Sequence, residues 1–287
     1  SLVAAATFCR YCCFAMETKI VSYNVMTASN SERLEDVLDF MKHQDMIGLT
    51  GTRRKRDKFK DWKQFENATH IAYDFGYAME SQCHAGSLYA VSKEFVKRSP
   101  VVKVDAAQGE LAGRFGSIKH RGTSKDVNPI LLYLPPYTTG KNRSIFVRLI
   151  KHLDLHLSKL RNRTLPLIMT DANSRCGYHK DHNGNWVLID NRAIGSCEPE
   201  YENEPGSLFR AVLQKHKMCL LNTFFSAGKT YYGAQAPHGT RIDYIAVPIA
   251  MLLQQRVSKC FVSLNMMRSL MQKPKSAPYD HAPVLAR

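Results

Sequence analysis

The chain has 287 residues, 44% hydrophobic and 10% aromatic, an apolar content that excludes a disordered polyelectrolyte and suffices for a buried core. Its 40 Lys and Arg against 25 Asp and Glu leave a net charge of +15, which puts nucleic acid and other phosphate-bearing polyanions first among partners. The most apolar stretch, residues 2–15, is broken by Arg10 and falls short of the roughly 20 apolar residues a spanning helix needs, so no membrane partner is expected.

Met16 stands just before the first strand-like segment. Residues 1–15 are therefore expected to be a leader or an upstream fragment, and residues 16–287 a single domain. Lys19–Val25 is a short β-branched and aromatic run, read as a strand. Arg33–Met41 carries Leu34, Val37, Leu38 and Met41 at helical spacing, and Asp45–Thr50 reads as a buried strand. Further strands are expected at Ser87–Ser92 and around Pro129–Leu134. Arg143–Leu160 is a long amphipathic helix whose stripe runs through Ile145, Leu149, Leu153, Leu157 and Leu160. Leu165–Thr170 follows as a buried strand, Ser207–Lys215 as a helix, and Met218–Asn222 and Arg241–Val247 as strands. No repeat or low-complexity linker divides the chain, so the alternation is that of one continuous α/β domain.

Eight irregularly spaced cysteines argue for reduced thiols in an intracellular protein. Cys9 and Cys12 lack the second Cys or His pair of a zinc site. His152 and His156 stand four apart on the long helix without the Glu of a zinc-protease motif, and are read as an exposed or flanking helix face. His179 and His182 fall in an Asn- and Gly-rich stretch read as a surface loop.

Short polar groups close the strands: Asn24, Asp171-Ala172-Asn173, Asp243 and Asp280-His281. Strand ends are where loops converge over a rigid base. An Asp and an Asn two residues apart can hold and polarise a water while donating to a phosphoryl oxygen, although an Asx turn uses the same residue types. Asp243 interrupts an apolar strand, and an acid buried there without a partner is costly. Asp280-His281 offers that partner, because an Asp that orients a His makes a better base or a stabilised imidazolium.

Taken in order, Asn24, Ile47–Thr52, Leu132–Pro135, Thr170–Asn173, Asn222–Phe225, Arg241–Ile245 and Tyr279–Pro283 resemble the endonuclease/exonuclease/phosphatase superfamily. The resemblance covers nearly the whole chain, and the Asn222–Phe225 and Arg241–Ile245 segments look most like endonuclease domains of non-LTR retrotransposons. It implies an α/β four-layer sandwich, two packed mixed β-sheets flanked by helices, with the site where the sheet ends meet. It implies that Asn24 and Asp280 help hold Mg²⁺ (or Mn²⁺), and that Tyr133 contacts the scissile phosphate. On the same pattern Asp171 positions the attacking water, Asn173 stabilises the charge on the phosphorus oxygens, and Asp243 orients His281. The reaction implied is metal-assisted in-line hydrolysis of a phosphodiester.

One position departs from the pattern. Where the family ends its second motif in Gln-Glu-Thr, the Glu being the principal metal ligand, this chain has Thr50-Gly51-Thr52. Glycine offers no ligand atom, so metal binding is weakened unless another acid substitutes. Two functions follow. The first is a Mg-dependent DNA endonuclease-like phosphodiesterase of retroelement origin, impaired at Gly51. The second is a catalytically inactive domain on the same fold, binding nucleic acid or acting as a scaffold in a larger assembly or polyprotein.

The basic run Arg53, Arg54, Lys55, Arg56 and Lys58 follows Gly51, with Trp62 close behind, and is read as contacting a nucleic-acid backbone, DNA before RNA. A localisation signal or a solvated face would use the same residues. Arg175, Lys141, Arg143, Arg161 and Arg163 are expected to extend the field, which fits a nuclear or other nucleic-acid-containing compartment. Tyr231 and Tyr232 fall where relatives keep an aromatic beside the site, and core packing explains them equally well.

Overall fold

The computed structural model describes residues 17–57, 60–78, 84–188, 192–233, 236, 238–271 and 280–287; the expected leader, Lys58 and Tyr279 lie outside the described residues. The strands in chain order are β1 (Ile20–Asn24), β2 (Met46–Thr50), β3 (Lys63–Glu66), β4 (His70–Phe75), β5 (Ser87–Ser92), β6 (Val101–Ala106), β7 (Phe115–His120) and β8 (Asp126–Tyr133). They continue with β9 (Thr164–Asp171), β10 (Gly177–Lys180), β11 (Trp186–Leu188), β12 (Glu200–Tyr201), β13 (Met218–Leu220), β14 (Asp243–Pro248), β15 (Cys260–Val262) and β16 (Val284–Ala286). One sheet has the order β15-β16-β1-β2-β5-β4-β3 and is mixed, because β1 and β2 run parallel. The other has the order β13-β14-β9-β8-β7-β6, mixed through the parallel pair β8 and β9. A small sheet, β11-β10-β12, follows the Asp171 motif.

The helices are α1 (Ser31–Phe40), α2 (Lys93–Arg98), α3 (Lys141–Ser158), α4 (Glu204–Lys215), α5 (Ile249–Leu253) and α6 (Leu264–Met271). Alternation along each strand sends side chains to two faces, and the buried residues sort accordingly. Leu34, Val37 and Leu38 of α1 pack on Val21, Tyr23, Ile47 and Leu49, the outer face of the first sheet. Ile145, Leu149 and Leu153 of α3 pack with Phe209 and Leu213 of α4 on Ile130, Leu132 and Ile168, the outer face of the second. Between the sheets lie Met46, Phe75, Tyr89, Leu131, Met169 and Ile245. The result is a helix–sheet–sheet–helix sandwich. Its contacts are steep in energy: truncating a fully buried leucine such as Leu149 to Ala costs about 2–5 kcal/mol.

Gly48 stands at a close approach of the two sheets. A Cβ there would stand 2.7 Å from Met169 Sδ and 2.9 Å from Leu131 Cδ2. Only a residue without a side chain lets β2 lie against the second sheet at this spacing.

Several expected boundaries move, each for a local reason. The helix expected from Ser207 starts at Glu204, because the Asn203 side chain caps the Gly206 N–H and Pro205 suits the first turn. The strand expected to reach Asn222 stops at Leu220, and Leu221–Thr223 form a 3₁₀ turn. The strand expected from Arg241 begins at Asp243, so Asp243 opens it instead of interrupting it. Arg241 is fully buried and its guanidinium is held by the carbonyls of Gly228, Cys197 and Glu198, which draws the chain out of the ladder before Asp243. His179 lies on β10 and not in a loop, whereas His182 is exposed. His152 and His156 turn toward the sheet: both rings stand edge-on to Phe115, at 4.5 and 5.2 Å. Cys176, Cys197, Cys219 and Cys260 are free thiols.

Candidate active site

Strand register gathers the polar groups at one pole. Tyr133 ends β8, Asp171 ends β9 and Asp243 opens β14, and the three are direct neighbours across the second sheet. Residues on one rung of a ladder share a face and sit about 5 Å apart. The first sheet contributes Asn24, the last residue of β1, and His281, three residues before β16. Asn24, Asp171, Asp243 and His281 are all buried, at 1–4% exposure.

These side chains form two hydrogen-bonded pairs, Asp243–His281 and Asn24–Asp171, set side by side. Asp243 Oδ2 lies 2.9 Å from His281 Nδ1, and its backbone N–H donates to Thr230 Oγ1. Asn222 Nδ2 donates to the Asp243 carbonyl, which fixes the start of β14. Asn24 Nδ2 donates to Asp171 Oδ2 at 2.7 Å, and its Oδ1 accepts from the Met26 N–H. The second oxygen of Asp171 accepts from the Asn173 N–H at 3.0 Å. Asn173 adopts a left-handed φ of 43°, which Asn tolerates, and its amide donates to the Leu134 carbonyl at 2.8 Å. His281 Nε2 stands 3.4 Å from Asn24 Nδ2 and 3.8 Å from Asp280 Oδ1. The Tyr231 ring packs 5.0 Å from the His281 ring.

Burial and charge displace two proton equilibria in this network. Burial raises the Asp171 carboxyl to about 7, the Asp243 charge adds to the rise, and His281 opposes it. Burial alone would lower His281, but the Asp243 carboxylate, together with Asp171 and Asp280, outweighs it and holds the imidazole up to about 9. At neutral pH the ring is a cation, so its approach to Asn24 Nδ2 is proximity between two donors. Perturbed groups of this kind concentrate where proton transfer is needed.

Tyr133 is half-buried, and burial pushes its phenol up to about 12. Its ring lies 5.1 Å under the guanidinium of Arg114, which is buried at 2% exposure just before β7. The sequence carries only a faint signal for Arg114, an arginine between Ala112-Gly113 and the apolar start of a strand. Thr230 and Asn222, which hold Asp243 from behind, carry none beyond their place in the motifs.

Gly51 carries the largest departure. It has a left-handed φ of +65°, and a Cβ built on it would overlap Asn24 Oδ1. The space a side chain at 51 would enter is thus taken by Asn24, and the backbone is in a conformation that glycine favours.

The basic run is only partly free. Arg54 pairs with buried Asp74 at 2.6 Å and Arg56 with Asp61 at 3.1 Å. Arg53 is half-buried and close enough to Tyr133 for its charge to oppose the rise in the phenol. Lys55 and Arg175 are exposed. Arg54, Lys55 and Arg56, with Lys60, Trp62 and Lys63, line a cleft of about 300 Å³. Lys141 and Arg143 are engaged by Glu110 and Glu204. Arg161 and Arg163 flank the start of β9, the pole opposite Asp171, so they do not extend the field at the site.

No protein-family model and no curated protein sequence matches the chain. Solved structures do. The catalytic domain of Xenopus laevis APE2 matches with a TM-score of 0.65 and 17% identity, over 94% of this chain and 91% of that one. The 3′ phosphatase NExo from Neisseria, bound to a product DNA hairpin, matches at 0.56 and 18% over 94% and 98%. The endonuclease domain of the telomere-specific non-LTR retrotransposon TRAS1 matches at 0.53 and 10% over 94% and 96%. The chain has the endonuclease/exonuclease/phosphatase fold.

Proteins with the endonuclease/exonuclease/phosphatase fold typically use a divalent metal, and donors for one are present here. Ligand atoms of Asp171, Asp243 and His281 lie within 4.8 Å of one another. Asp280 Oδ1 is buried without a hydrogen-bond partner among the described residues. Mg²⁺ needs only one or two carboxylates beside water and phosphate, a number the described acids can supply although Gly51 adds nothing. Among the described residues no helix is long and apolar enough to cross a membrane.

Proposed function

We propose that this chain is a divalent-metal-assisted phosphodiesterase acting on nucleic acid, with DNA as the substrate. The two pairs Asp243–His281 and Asn24–Asp171, drawn from both sheets and converging at one buried pole, are the observation that carries this reading. Asp171, its carboxyl lifted toward neutrality, accepts the proton of an attacking water at its Oδ atoms. Asn173 and the cationic His281 donate to the phosphoryl oxygens as negative charge grows on them. Asp243 keeps the imidazole protonated and aimed, and Tyr133, backed by Arg114, offers a protonated phenol to the scissile phosphate. Asn24 and Asp280 would hold Mg²⁺ or Mn²⁺, which supplies charge neutralisation at the phosphate when bound. Lys55, with Arg53 and Arg175, neutralises flanking phosphates. NExo bound to a DNA hairpin and the TRAS1 endonuclease domain support a DNA substrate and a retroelement origin.

Gly51 favours a second reading. Its left-handed backbone and the Asn24 side chain beside it would suit a domain that keeps the fold and a nucleic-acid surface without turnover. End-labelled duplex DNA incubated with the chain and Mn²⁺, against an EDTA control and His281→Ala, decides between them. Cleavage that EDTA and His281→Ala both abolish supports the first reading; salt-sensitive binding without cleavage supports the second.

A further inference from the structure

A second basic feature lies at the far pole of the sandwich. A cleft of about 450 Å³ opens between the last turn of α3 and the strands β6 and β7. Lys103, Lys119, Arg121, Lys159 and Arg161 line it, and Asp105 is the acid among its described lining residues. Lys103 pairs with Asp105 at 2.8 Å and Lys119 with Asp126 at 3.0 Å. Arg121, Lys159 and Arg161 form no ion pair among the described residues, and all three are exposed. The wall behind them is rigid. His156 Nε2 lies 2.8 Å from Asn128 Oδ1, and the buried Asn128 donates to the Ile118 carbonyl. Burial holds the His156 ring down to about 4, with Lys103 and Lys159 among the charges acting in the same direction.

Three unpaired cations facing one cleft repel each other, and the fold gains nothing from that arrangement. A ligand with clustered negative charge would relieve it. We propose that this cleft is a second phosphate-binding site, taking a ligand with neighbouring phosphate groups, either a free polyphosphate or a nucleic-acid backbone segment. It is separate from the catalytic pole. Thr164 at its edge and Asp171 stand at opposite ends of β9, seven residues or about 23 Å apart. The proposal does not depend on turnover.

The test uses the full chain with two probes, tripolyphosphate and a short single-stranded oligonucleotide. His156 ring signals are followed by NMR in wild type, in Arg121→Ala/Lys159→Ala/Arg161→Ala and in Asp171→Asn. A saturable shift with at least one probe is expected, retained in Asp171→Asn and lost in the triple variant. Saturation by tripolyphosphate identifies a compact ligand, whereas saturation by the oligonucleotide alone identifies a backbone segment. In the latter case the triple variant should flatten the log–log salt dependence of oligonucleotide binding by about 2. No saturable shift with either probe, or the same shift in the triple variant, would overturn the proposal.

Discussion

The two sheets bring very unequal halves to the catalytic pole. The second sheet delivers Tyr133, Asp171 and Asp243 on adjacent strands, in register. The first sheet delivers Asn24 and, from the segment before β16, His281, but a glycine where an acid would be expected. The contrast separates two tasks that usually sit together. On the proposed function, the groups that would handle protons and phosphoryl oxygens are present, while the metal's anchorage would rest on Asp280 and Asn24. Asn24 is also shared between the two tasks, since its Nδ2 donates to Asp171 while its Oδ1 is the oxygen a side chain at 51 would meet.

The contrast breaks most decisively at the groups proposed to handle protons, one from each sheet. His281→Ala or Asp171→Asn should each lower cleavage by about 10²–10⁴-fold in a single-turnover assay. Equal cleavage by Asp171→Asn would mean that the intact half is structural. A pH profile sharpens the same point. Asp171 must lose its proton to act as a base, so the rate should rise with pH through about 7. His281 must keep its proton to donate, so the rate should fall as pH passes about 9. The expected curve of kcat/KM is a bell between those values, and Asp243→Asn should draw in its alkaline limb by releasing the imidazole proton earlier.

Smaller effects test the first sheet. Gly51→Ala places a Cβ at a left-handed φ against Asn24, which should cost about 1–3 kcal/mol in urea unfolding. Gly51→Glu carries the same strain, so restoring the missing carboxylate should add little activity while Asn24 keeps its place. A large gain without loss of stability would show that Asn24 yields freely. Away from the site, His156 supplies a pH effect on stability. Its folded value of about 4 lies below the unfolded 6.5, so the unfolded chain binds a proton that the folded chain refuses between those values. Stability should fall by up to about 3 kcal/mol as pH drops from 6.5 to 4, and His156→Gln should flatten that slope.

Much of this was legible in the sequence, for physical reasons. Periodicity located α1, α3 and the central strands because each buries one clear face. The cost of a buried acid pointed from Asp243 to His281, and the structure holds them 2.9 Å apart. Strands β3 and β6 escaped because edge strands are short or mixed in polarity, and the interior β7 because Gly116, Ser117 and Lys119 break its apolar pattern. Arg114 escaped because a lone buried arginine has no periodic signature. Pairing of Arg54 and Arg56 with Asp74 and Asp61 was also hidden, since a run of like charge does not reveal which acids the fold brings beside it. The absence of an acid at 51 was plain in the sequence, but the backbone conformation there and the position of Asn24 were not.

The most direct test of the claim that the proposed proton-handling groups are competent without an acid at 51 is nicking of supercoiled plasmid across a range of Mg²⁺ and Mn²⁺ concentrations, with His281→Ala alongside. Nicking that rises with metal, needs more of it than a site with a second-strand carboxylate, and vanishes in His281→Ala is the predicted result. No nicking by the wild-type chain at any metal concentration, with DNA binding intact, would contradict it.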